Sequence, residues 1–301
     1  MRYFHPKRMF RNIVRSLHDA VFYSFLYDRR IIEKTATEQL GYVCNLRNPV
    51  TFNDKINWLK LHDNSRLAAT LIDKEAVKSF VAGVVGPQFI IPTIAAGFKS
   101  ASEINWDALP DRFVIKCNHD SGSTLVCRDK FDFDRGVAAE KLDAALLRNP
   151  GKNLTRAIVC KKIKPSILVE ELIEPESGDD LRDYKFFCFG GKVRCFKVDF
   201  GRAAGEHRAN YYSPQGELQP FGEQVCPPDT TKDITLPGNL QEMIEIAEKL
   251  SSSVDRAFLR VDLYNTGSRV YFGELTYYPA GGYGKFIPEE WDMTLGSWIE
   301  L

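Results

Sequence analysis

The chain has 301 residues, 44% hydrophobic and 27% charged, so it is long enough to bury one large core or several small ones and is not disordered. Lysine plus arginine equal aspartate plus glutamate at 40 each, which gives no support for nucleic-acid binding. The seven cysteines have no C-x-x-C spacing and the five histidines are dispersed. We therefore expect free thiols in a reducing compartment, with neither disulfides nor a zinc site.

The N-terminus is basic and aromatic, but it is not a membrane anchor by sequence. No apolar run approaches the roughly 20 residues that span a bilayer, and a signal-peptide core is missing. The sequence predicts a soluble, cytoplasmic protein. Five cations precede any acid: Arg2, Lys7, Arg8, Arg11 and Arg15. We favour docking of this segment on its own domain, with contact to the inner face of an anionic membrane as the alternative.

Apolar periodicity and turn residues predict a mixture of helices and strands. In chain order, the pattern indicates helices at 10–40, 51–61 and 73–85, strands at 89–92 and 113–117, a helix at 134–147, strands at 167–171, 184–189 and 193–200, a helix at 240–251, and strands at 261–264 and 269–276. Strict alternation of strands with helices is missing. This pattern favours an α+β fold over a doubly wound parallel sheet.

The last two predicted strands have the most informative pattern. Turn residues at 265–268 join them, and they place Asp262 on one strand and Glu274 on its neighbour, where both carboxylates can point to one face. Mg²⁺ prefers carboxylate oxygens and completes its shell with water and nucleotide phosphate. The pair therefore suggests a magnesium site, and a solvated hairpin face is an equally good interpretation of these two acids alone.

Residues 113–124 form a second candidate segment. An apolar strand ends near Lys116 and enters a small polar loop that contains Ser121, Gly122 and Ser123. Backbone amides of such a loop can surround a phosphate, and the ammonium group adds positive charge. The segment is not a Walker A loop, because the G-x-x-x-x-G-K-[ST] pattern is missing. Taken alone, it is better interpreted as an ordinary strand end.

The predicted strand at 167–171 ends in two acids. Glu170 and Glu171 precede Leu172 and a polar loop. Carboxylates there could accept hydrogen bonds from a ribose or an adenine, while neighbouring backbone groups contact the base. A strand end that enters solvent is the alternative interpretation.

Two further pairs of polar residues follow. Asp183 and Lys185 open the next predicted strand, and Arg202 and Arg208 flank the loop 203–207. Guanidinium groups that close over a phosphoryl group would stabilise its developing charge. From composition alone, a surface loop with ordinary cations is an equally good interpretation.

The order of these groups along the chain resembles the ATP-grasp superfamily, and more closely its teichuronopeptide-biosynthesis (TupA-like) branch, which is associated with bacterial surface polysaccharide clusters. The matching segments are 45–55, Asp73-Lys74, 113–122, 167–172, 183–189 and 272–279, continued by 284–286, Pro288 and 290–292. The resemblance implies an ATP-grasp fold in which two α+β lobes sandwich the nucleotide. It also implies a helical region at 1–111, a small lid at 112–168, and a core with the metal site at 169–301.

The resemblance further implies ATP and Mg²⁺ as cofactors and a role for each candidate residue. Metal ligands would be Asp262, Glu274 and Thr276, the last standing where many ATP-grasp ligases have an asparagine. Nucleotide-binding residues would be Lys116, Ser121, Gly122, Ser123, Glu170, Glu171, Leu172, Asp183 and Lys185. Catalytic residues would be Lys185, Arg202 and Arg208.

The implied activity is an ATP-dependent carboxylate–amine ligase that acts through an acyl phosphate. Its acceptor would be a sugar carboxylate of a bacterial capsule or O-antigen polysaccharide, or of a precursor, and an amine would be the second substrate. Such chemistry needs no side-chain nucleophile, and the sequence has no recognisable Ser-His-Asp or Cys-His arrangement. A glycosyltransferase, a saccharide kinase on the same fold and a non-enzymatic nucleotide-binding scaffold are the alternatives.

Overall fold

The computed structural model describes residues 25–62, 66–148, 158–177, 181–201, 205–232 and 234–301. Within these residues, the α-helices are α1 (25–40), α2 (Phe52–His62), α3 (Arg66–Ile72), α4 (Val77–Val85), α5 (Arg135–Leu146), α6 (Leu240–Ser252) and α7 (Glu290–Ser297). Side-chain caps define two of their starts. Thr51 accepts a hydrogen bond from the amide of Asp54 before α2, and Asp134 accepts one from the amide of Val137 at the start of α5.

The strands form three antiparallel sheets. They are β1 (Thr93–Phe98), β2 (Phe113–Cys117), β3 (Leu125–Cys127), β4 (Ile167–Glu171), β5 (Asp183–Phe189), β6 (Lys192–Phe200), β7 (Arg208–Tyr212), β8 (Gly222–Glu223), β9 (Phe258–Asn265), β10 (Val270–Thr276) and β11 (Phe286–Ile287). The four-stranded sheet has the order β1-β4-β2-β3, and the five-stranded sheet has the order β10-β9-β5-β6-β7. Strands β11 and β8 form a short pair.

The five-stranded sheet is buried on both faces at one end and charged on one face at the other. Phe186 and its neighbours on one face pack with α6 in the largest apolar cluster. On the opposite face, Phe187, Phe189 and Phe258 pack against α2 and α7. Because side chains alternate along a strand, that second face continues into the charged residues Lys185 and Arg260. The aromatic end is thus core, and the charged end is free to form a site.

The four-stranded sheet follows the same plan. Ile115 and Cys117 point to one face, where they pack with Leu142 of α5. The alternate residues Val114 and Lys116 point to the other face and line a cleft. Each sheet therefore turns one partly polar face toward the space between them.

Within the described residues, most of the predicted elements are confirmed. Residues 10–24 of the helix predicted at 10–40 lie outside the described residues. The exceptions are local. The predicted strand at 89–92 is wrong: a 3₁₀ turn covers Pro87–Phe89, and the strand begins at Thr93. The helix predicted to start at residue 73 starts at Val77, because the Asp73 carboxylate accepts hydrogen bonds from the amides of residues 75 and 76 and holds a turn there.

Several short elements gave no sequence signal, namely α3, α7, β1, β3, β7, β8 and β11. Strand β1 shares a sheet with β2, β3 and β4, so the four-stranded sheet begins before residue 112, and β4 continues past residue 168. The boundaries of the lid at 112 and 168 stay predictions. Among the described helices, none is both long and apolar enough to cross a bilayer. The basic segment that includes Arg2 and Arg15 lies outside the described residues.

Candidate functional site

A cleft of about 500 Å³ lies between the polar faces of the two sheets. On the four-stranded side, its lining includes Lys116, Glu170 and the loop that follows β2. On the five-stranded side, it includes Lys185 and Asp262. We call these two sides the phosphate side and the acidic floor. The cleft contains most of the residues that the sequence singled out, although two of them, Lys116 and Glu274, lie 158 residues apart in the chain.

The acidic floor is built on the hairpin of β9 and β10. Asp262 pairs directly with Glu274 in the register of the two strands, next to an irregularity after Phe272. Cross-strand partners point to the same face of a sheet. Gly273 at this irregularity lies so close to Tyr264 that a Cβ there would be 3.0 Å from its ring. The predicted convergence of Asp262 and Glu274 is therefore present in the structure.

Arg260 joins the two acids. Its guanidinium group donates two hydrogen bonds of 2.7 Å to the Asp262 carboxylate, and its Nη2 also lies 3.3 Å from an oxygen of Glu274. The same nitrogen donates to the Thr276 hydroxyl at 2.9 Å, and that hydroxyl lies 2.9 Å from Glu274. Thr276 thus orients Glu274 through its hydroxyl group. The assignment of Thr276 as a direct metal ligand stays a prediction.

Lys74 is the second cation at Glu274. Its Nζ lies 3.1 Å from Glu274 Oε2 and donates a 3.0 Å hydrogen bond to the carbonyl of Asp120 in the phosphate-side loop. Burial by itself would raise the pKa of Glu274, but Lys74 and Arg260 outweigh it and hold that pKa well below its ordinary value. Glu274 is therefore ionised, as a metal ligand must be, and 30% of its side chain is accessible from solvent.

Lys185 lies behind Asp262 at the centre of the five-stranded sheet. Its ammonium group contacts the Asp183 carboxylate and lies 3.3 Å from Asp262 and 3.6 Å from Asp199. Burial would lower the pKa of Lys185, but the three carboxylates outweigh burial and raise it above its ordinary value. Burial, opposed mainly by Lys185, raises the pKa of Asp183. The predicted residues Asp183 and Lys185 thus belong to one buried ionic network.

On the phosphate side, one acid is shared by two lysines. Glu170 lies 2.5 Å from Lys116 and 2.6 Å from Lys78 of α4. Burial would raise the pKa of Glu170, but these two ammonium groups outweigh it and hold the pKa below the ordinary value. Glu171 and Leu172 also line the cleft, and Glu171 is exposed. Because Glu170 is paired with lysines, its predicted contact with ribose or adenine would require that pairing to change.

The loop after β2 presents Ser121 and Gly122 to the cleft. Gly122 has φ +96°, a conformation that favours glycine. Ser123 is buried: its hydroxyl donates to Asp120 and accepts a 2.9 Å hydrogen bond from the amide of Cys117. The side chain of Ser123 therefore shapes the loop from inside. Its predicted contact with the nucleotide stays a prediction.

An acid beside a phosphate loop would repel an anion unless it is neutralised. The Asp120 carboxylate lies 2.9 Å from the guanidinium group of Arg148, which neutralises it. His119, next to it, has its Nε2 3.0 Å from the carbonyl of Arg148. Both side chains are buried, and Asp120 lines the cleft together with the small residues Ser121 and Gly122.

Of the two predicted catalytic arginines, Arg208 alone lies among the described residues. Arg202 lies outside the described residues. Arg208 is exposed at the start of β7, opposite Phe200, and is not among the residues that line the cleft. The cations that the structure places beside Asp262 and Glu274 are Arg260 and Lys74. Catalytic roles for Arg202 and Arg208 stay predictions.

The fold with its charged cleft is that of an ATP-grasp protein. A family model described as TupA-like ATP-grasp matches residues 54–300 of the chain. The chain therefore belongs to the TupA-like ATP-grasp family, and both the resemblance drawn from the sequence and the predicted α+β class are confirmed. A search of curated proteins found no match.

Solved structures of ATP-grasp proteins are similar to this chain at low identity. D-alanine–D-alanine ligase from Helicobacter pylori is 14% identical, with 82% of this chain and 69% of that chain covered and a TM-score of 0.43. The enzyme from Bacillus anthracis is 15% identical, with 69% and 56% covered and a TM-score of 0.37. A RimK domain ATP-grasp protein from Sphaerobacter thermophilus is 12% identical, with 78% and 69% covered and a TM-score of 0.41. The chain thus spans little more than half the length of the Bacillus anthracis ligase.

Proposed function

We propose that this chain is an ATP-dependent carboxylate–amine ligase with its nucleotide in the cleft between the two sheets. One observation supports this most: the two sides of the cleft carry complementary charge excesses. On the phosphate side, Lys116 and Lys78 share the single acid Glu170. On the floor, Lys185 lies near the carboxylates of Asp183, Asp199 and Asp262. Arg260 and Lys74 pair with Asp262 and Glu274, so these three cations face four carboxylates. A surplus of cations suits the phosphates, and a surplus of acids suits a metal ion.

The donor set fits Mg²⁺. Asp262 and Glu274 provide carboxylate oxygens on one face, within reach of the same guanidinium nitrogen, and hard oxygen ligands are those that magnesium prefers. When bound, the ion would neutralise phosphate oxygens at the floor. Asp262 and Glu274 would hold it, with Thr276 as a further ligand, directly or through water.

The chain's own residues would then position the substrates. Lys116, with Lys78 behind it, would bind phosphate oxygens, and the amides of Ser121 and Gly122 would surround them. Glu171 and Leu172 would contact the adenosine part at the edge of the cleft. Arg260 would stabilise the charge that develops on the transferred phosphoryl group, because it lies beside both acids.

In the proposed reaction, a carboxylate oxygen of the acceptor attacks the γ-phosphorus and ADP leaves, which yields an acyl phosphate. The amine nitrogen then attacks the acyl carbon, inorganic phosphate leaves, and the nitrogen loses a proton. Positioning and charge stabilisation are most of what such a transfer requires. We infer a sugar carboxylate of a bacterial surface polysaccharide, such as a capsule or O-antigen, or of its precursor as the acceptor, in a protein that works in the cytoplasm or at the inner face of the membrane.

The test is substrate-dependent release of ADP and phosphate by the purified chain with Mg-ATP, a uronic-acid-bearing saccharide and an amine. Release that requires both the acceptor and the amine supports the ligase. Release with the acceptor alone, together with a stable phosphorylated saccharide, would show a kinase. If no ADP forms and nucleotide sugars stabilise the protein against heat more than Mg-ATP does, the chain is a glycosyltransferase. Binding of Mg-ATP without turnover of any acceptor would indicate a scaffold.

A variant tests the metal assignment within the same assay. We expect Glu274→Gln to reduce turnover by at least about 100-fold, because a metal ligand contributes several kcal/mol. The control is Glu245→Gln, at an exposed position on α6. Circular dichroism should show that both variants fold. Full turnover by Glu274→Gln would remove Glu274 from the metal site.

A further inference from the structure

Three potential metal ligands meet outside the lining of the cleft. Asp199 lies in β6, His207 lies just before β7, and Cys226 follows β8. One ligand atom from each residue lies within 4.8 Å of the others. The distance from His207 Nε2 to Asp199 Oδ2 is 3.2 Å. Sheet pairing brings these residues together from separate segments, so no short spacing motif in the sequence indicates them.

The backbone holds this cluster in place. Asp199 pairs with Ala209 across β6 and β7. The amide of Ala209 donates a 3.4 Å hydrogen bond to the carbonyl of Pro227, the residue after Cys226. The segment that carries Cys226 is therefore attached to the same strand that lies beside Asp199.

Two additional contacts secure that segment. The Asn210 side chain donates to the carbonyl of Asp229 at 2.8 Å and accepts from the amide of Asp229 at 2.9 Å. The amide of Cys226 donates a 3.2 Å hydrogen bond to the carbonyl of Glu223. Main-chain hydrogen bonds and the pair of hydrogen bonds between Asn210 and Asp229 thus set the relative positions of the backbone segments that carry the three ligand residues. These positions do not depend on long flexible side chains.

Two lysines lie near Asp199, and each of them lies closer to another acid. Lys185 contacts Asp183 and lies nearer to Asp262 than to Asp199. Lys197 lies 2.5 Å from Glu223 and 4.0 Å from Asp199. The Oδ2 atom of Asp199 is the one that lies next to His207.

We propose that Asp199, His207 and Cys226 bind a zinc ion. One carboxylate, one imidazole and one thiolate form a donor set that zinc accepts, and thiolate discriminates against Mg²⁺. Asp199 and Cys226 are each 3% exposed, whereas 41% of the His207 side chain is accessible, which leaves an entry side and an open fourth position for water. Tetrahedral ligands about 2.0–2.3 Å from zinc lie roughly 3.5 Å apart. The 3.2 Å separation of His207 and Asp199 is already close to this value, and the three ligand atoms lie within 4.8 Å of one another, so only small side-chain shifts would complete the site.

The site lies directly behind the acidic floor, because Asp199 is also 3.6 Å from Lys185. A bound zinc ion would connect the end of β6 to the segments before β7 and after β8. It would thereby stabilise the strand that supports the central lysine of the floor. This role is separate from nucleotide chemistry and does not depend on the proposed ligase activity.

The test is direct zinc binding by the full chain. The protein is stripped with a chelator and titrated with zinc chloride in competition with a chromophoric chelator, at neutral pH and under reducing conditions. We expect one zinc ion per chain, and at least about 100-fold weaker binding in Cys226→Ala and in His207→Ala, since even residues that only support a ligand contribute 10–100-fold. Cobalt loading should give a thiolate-to-metal absorption band that is lost in Cys226→Ala.

Matched controls replace residues outside the cluster. Cys160→Ala removes a partly buried thiol, and His62→Ala removes an exposed histidine that stacks on Trp58. Both should bind zinc as the unaltered chain does. The proposal is overturned if the unaltered chain binds no zinc under these conditions, or if zinc binding persists unchanged in Cys226→Ala and His207→Ala. Because the unaltered chain is itself measured, a variant that fails to fold does not hide the result.

Discussion

Lys60 of α2 and Lys185 of β5 are both buried lysines, but their surroundings are opposite. The ammonium group of Lys60 donates to the carbonyl of Gly281 and lies 4.1 Å from the centre of the Tyr283 ring. That of Lys185 lies among three carboxylates. Burial lowers the pKa of Lys60 well below its ordinary value, whereas the carboxylates raise that of Lys185. A buried charge is therefore not in itself a sign of a functional site.

The surroundings of Lys60 are those of a structural anchor. Three polar residues on α2 bind carbonyl groups of the loop after β10: Lys60 binds that of Gly281, Asn57 that of Gly282 at 2.7 Å, and Asn53 that of Gly284 at 2.8 Å. Gly282 has φ +75°, and a Cβ there would be 3.0 Å from the Asn57 amide group, so this close approach requires glycine. This network ties α2 to the loop that follows the acidic hairpin, whereas the network of Lys185 faces the cleft.

Replacing Lys185 should have the larger effect on stability. In Lys185→Met, Asp262 keeps its contact with Arg260, but Asp183 remains buried without the Lys185 cation, and removing one partner of a buried ion pair costs about 3–5 kcal/mol. We expect the free energy of unfolding at pH 7, measured with urea, to fall by that amount. Lys192→Met, on the exposed pair with Glu248, is the control and should change it by no more than about 0.5 kcal/mol. A loss below about 1 kcal/mol in Lys185→Met would mean that the floor does not depend on this cation.

Replacing Lys60 should have a smaller effect. In Lys60→Met, the carbonyl of Gly281 loses its donor, and an unsatisfied buried polar group costs about 1–3 kcal/mol. No acid is left unpaired at that contact, and the cost of burying an ammonium group disappears. The same urea measurement should therefore rank Lys60→Met between Lys192→Met and Lys185→Met. A loss equal to that of Lys185→Met would contradict the distinction between an anchor and an ionic floor.

The acidic hairpin could be predicted from sequence because its geometry is local. Two alternating strands joined by a short turn have a defined register, and this places Asp262 opposite Glu274. Arg260 could have been found by the same reasoning, because a residue two positions before Asp262 must share its face. The predicted catalytic residues Arg202 and Arg208 flank a loop whose position relative to the cleft has no sequence signal.

Other parts of the site depend on contacts between distant segments. Lys74 lies in the turn before α4, and Lys78 lies in the first turn of α4, a helix whose apolar pattern predicts core packing. Only the contacts of these lysines with Glu274 and Glu170 show that they belong to the cleft. Strand β1 pairs with β4 more than 60 residues later, and its mixed burial gives no clear alternation. The sequence therefore predicts the hairpins well, and the convergence of separate elements poorly.

Glu170 is in a third kind of buried ionic contact, in which one acid is shared by two lysines. Its pKa lies below the ordinary glutamate value of about 4.3, so the unfolded chain takes up a proton at this group at higher pH than the folded chain does. The stability contributed by Glu170 is then fully present above about pH 5 and is lost as pH falls through the folded pKa. We expect the difference in unfolding free energy between the unaltered chain and Glu170→Gln to be constant from pH 7 to 5 and to shrink below pH 4.

Urea unfolding at pH 7, 5, 4 and 3 measures this difference. The change in this difference with pH should be smaller than the loss of unfolding free energy in Lys185→Met at pH 7. Glu140→Gln, at an exposed position on α5, serves as the control and should give a small difference at every pH. If the difference for Glu170→Gln grew on acidification, the folded protein would favour the protonated acid, and the two lysines would not be holding a carboxylate. Lys116 and Lys78 would then face a neutral group, and a carboxylate shared between them would not be what positions them on the phosphate side.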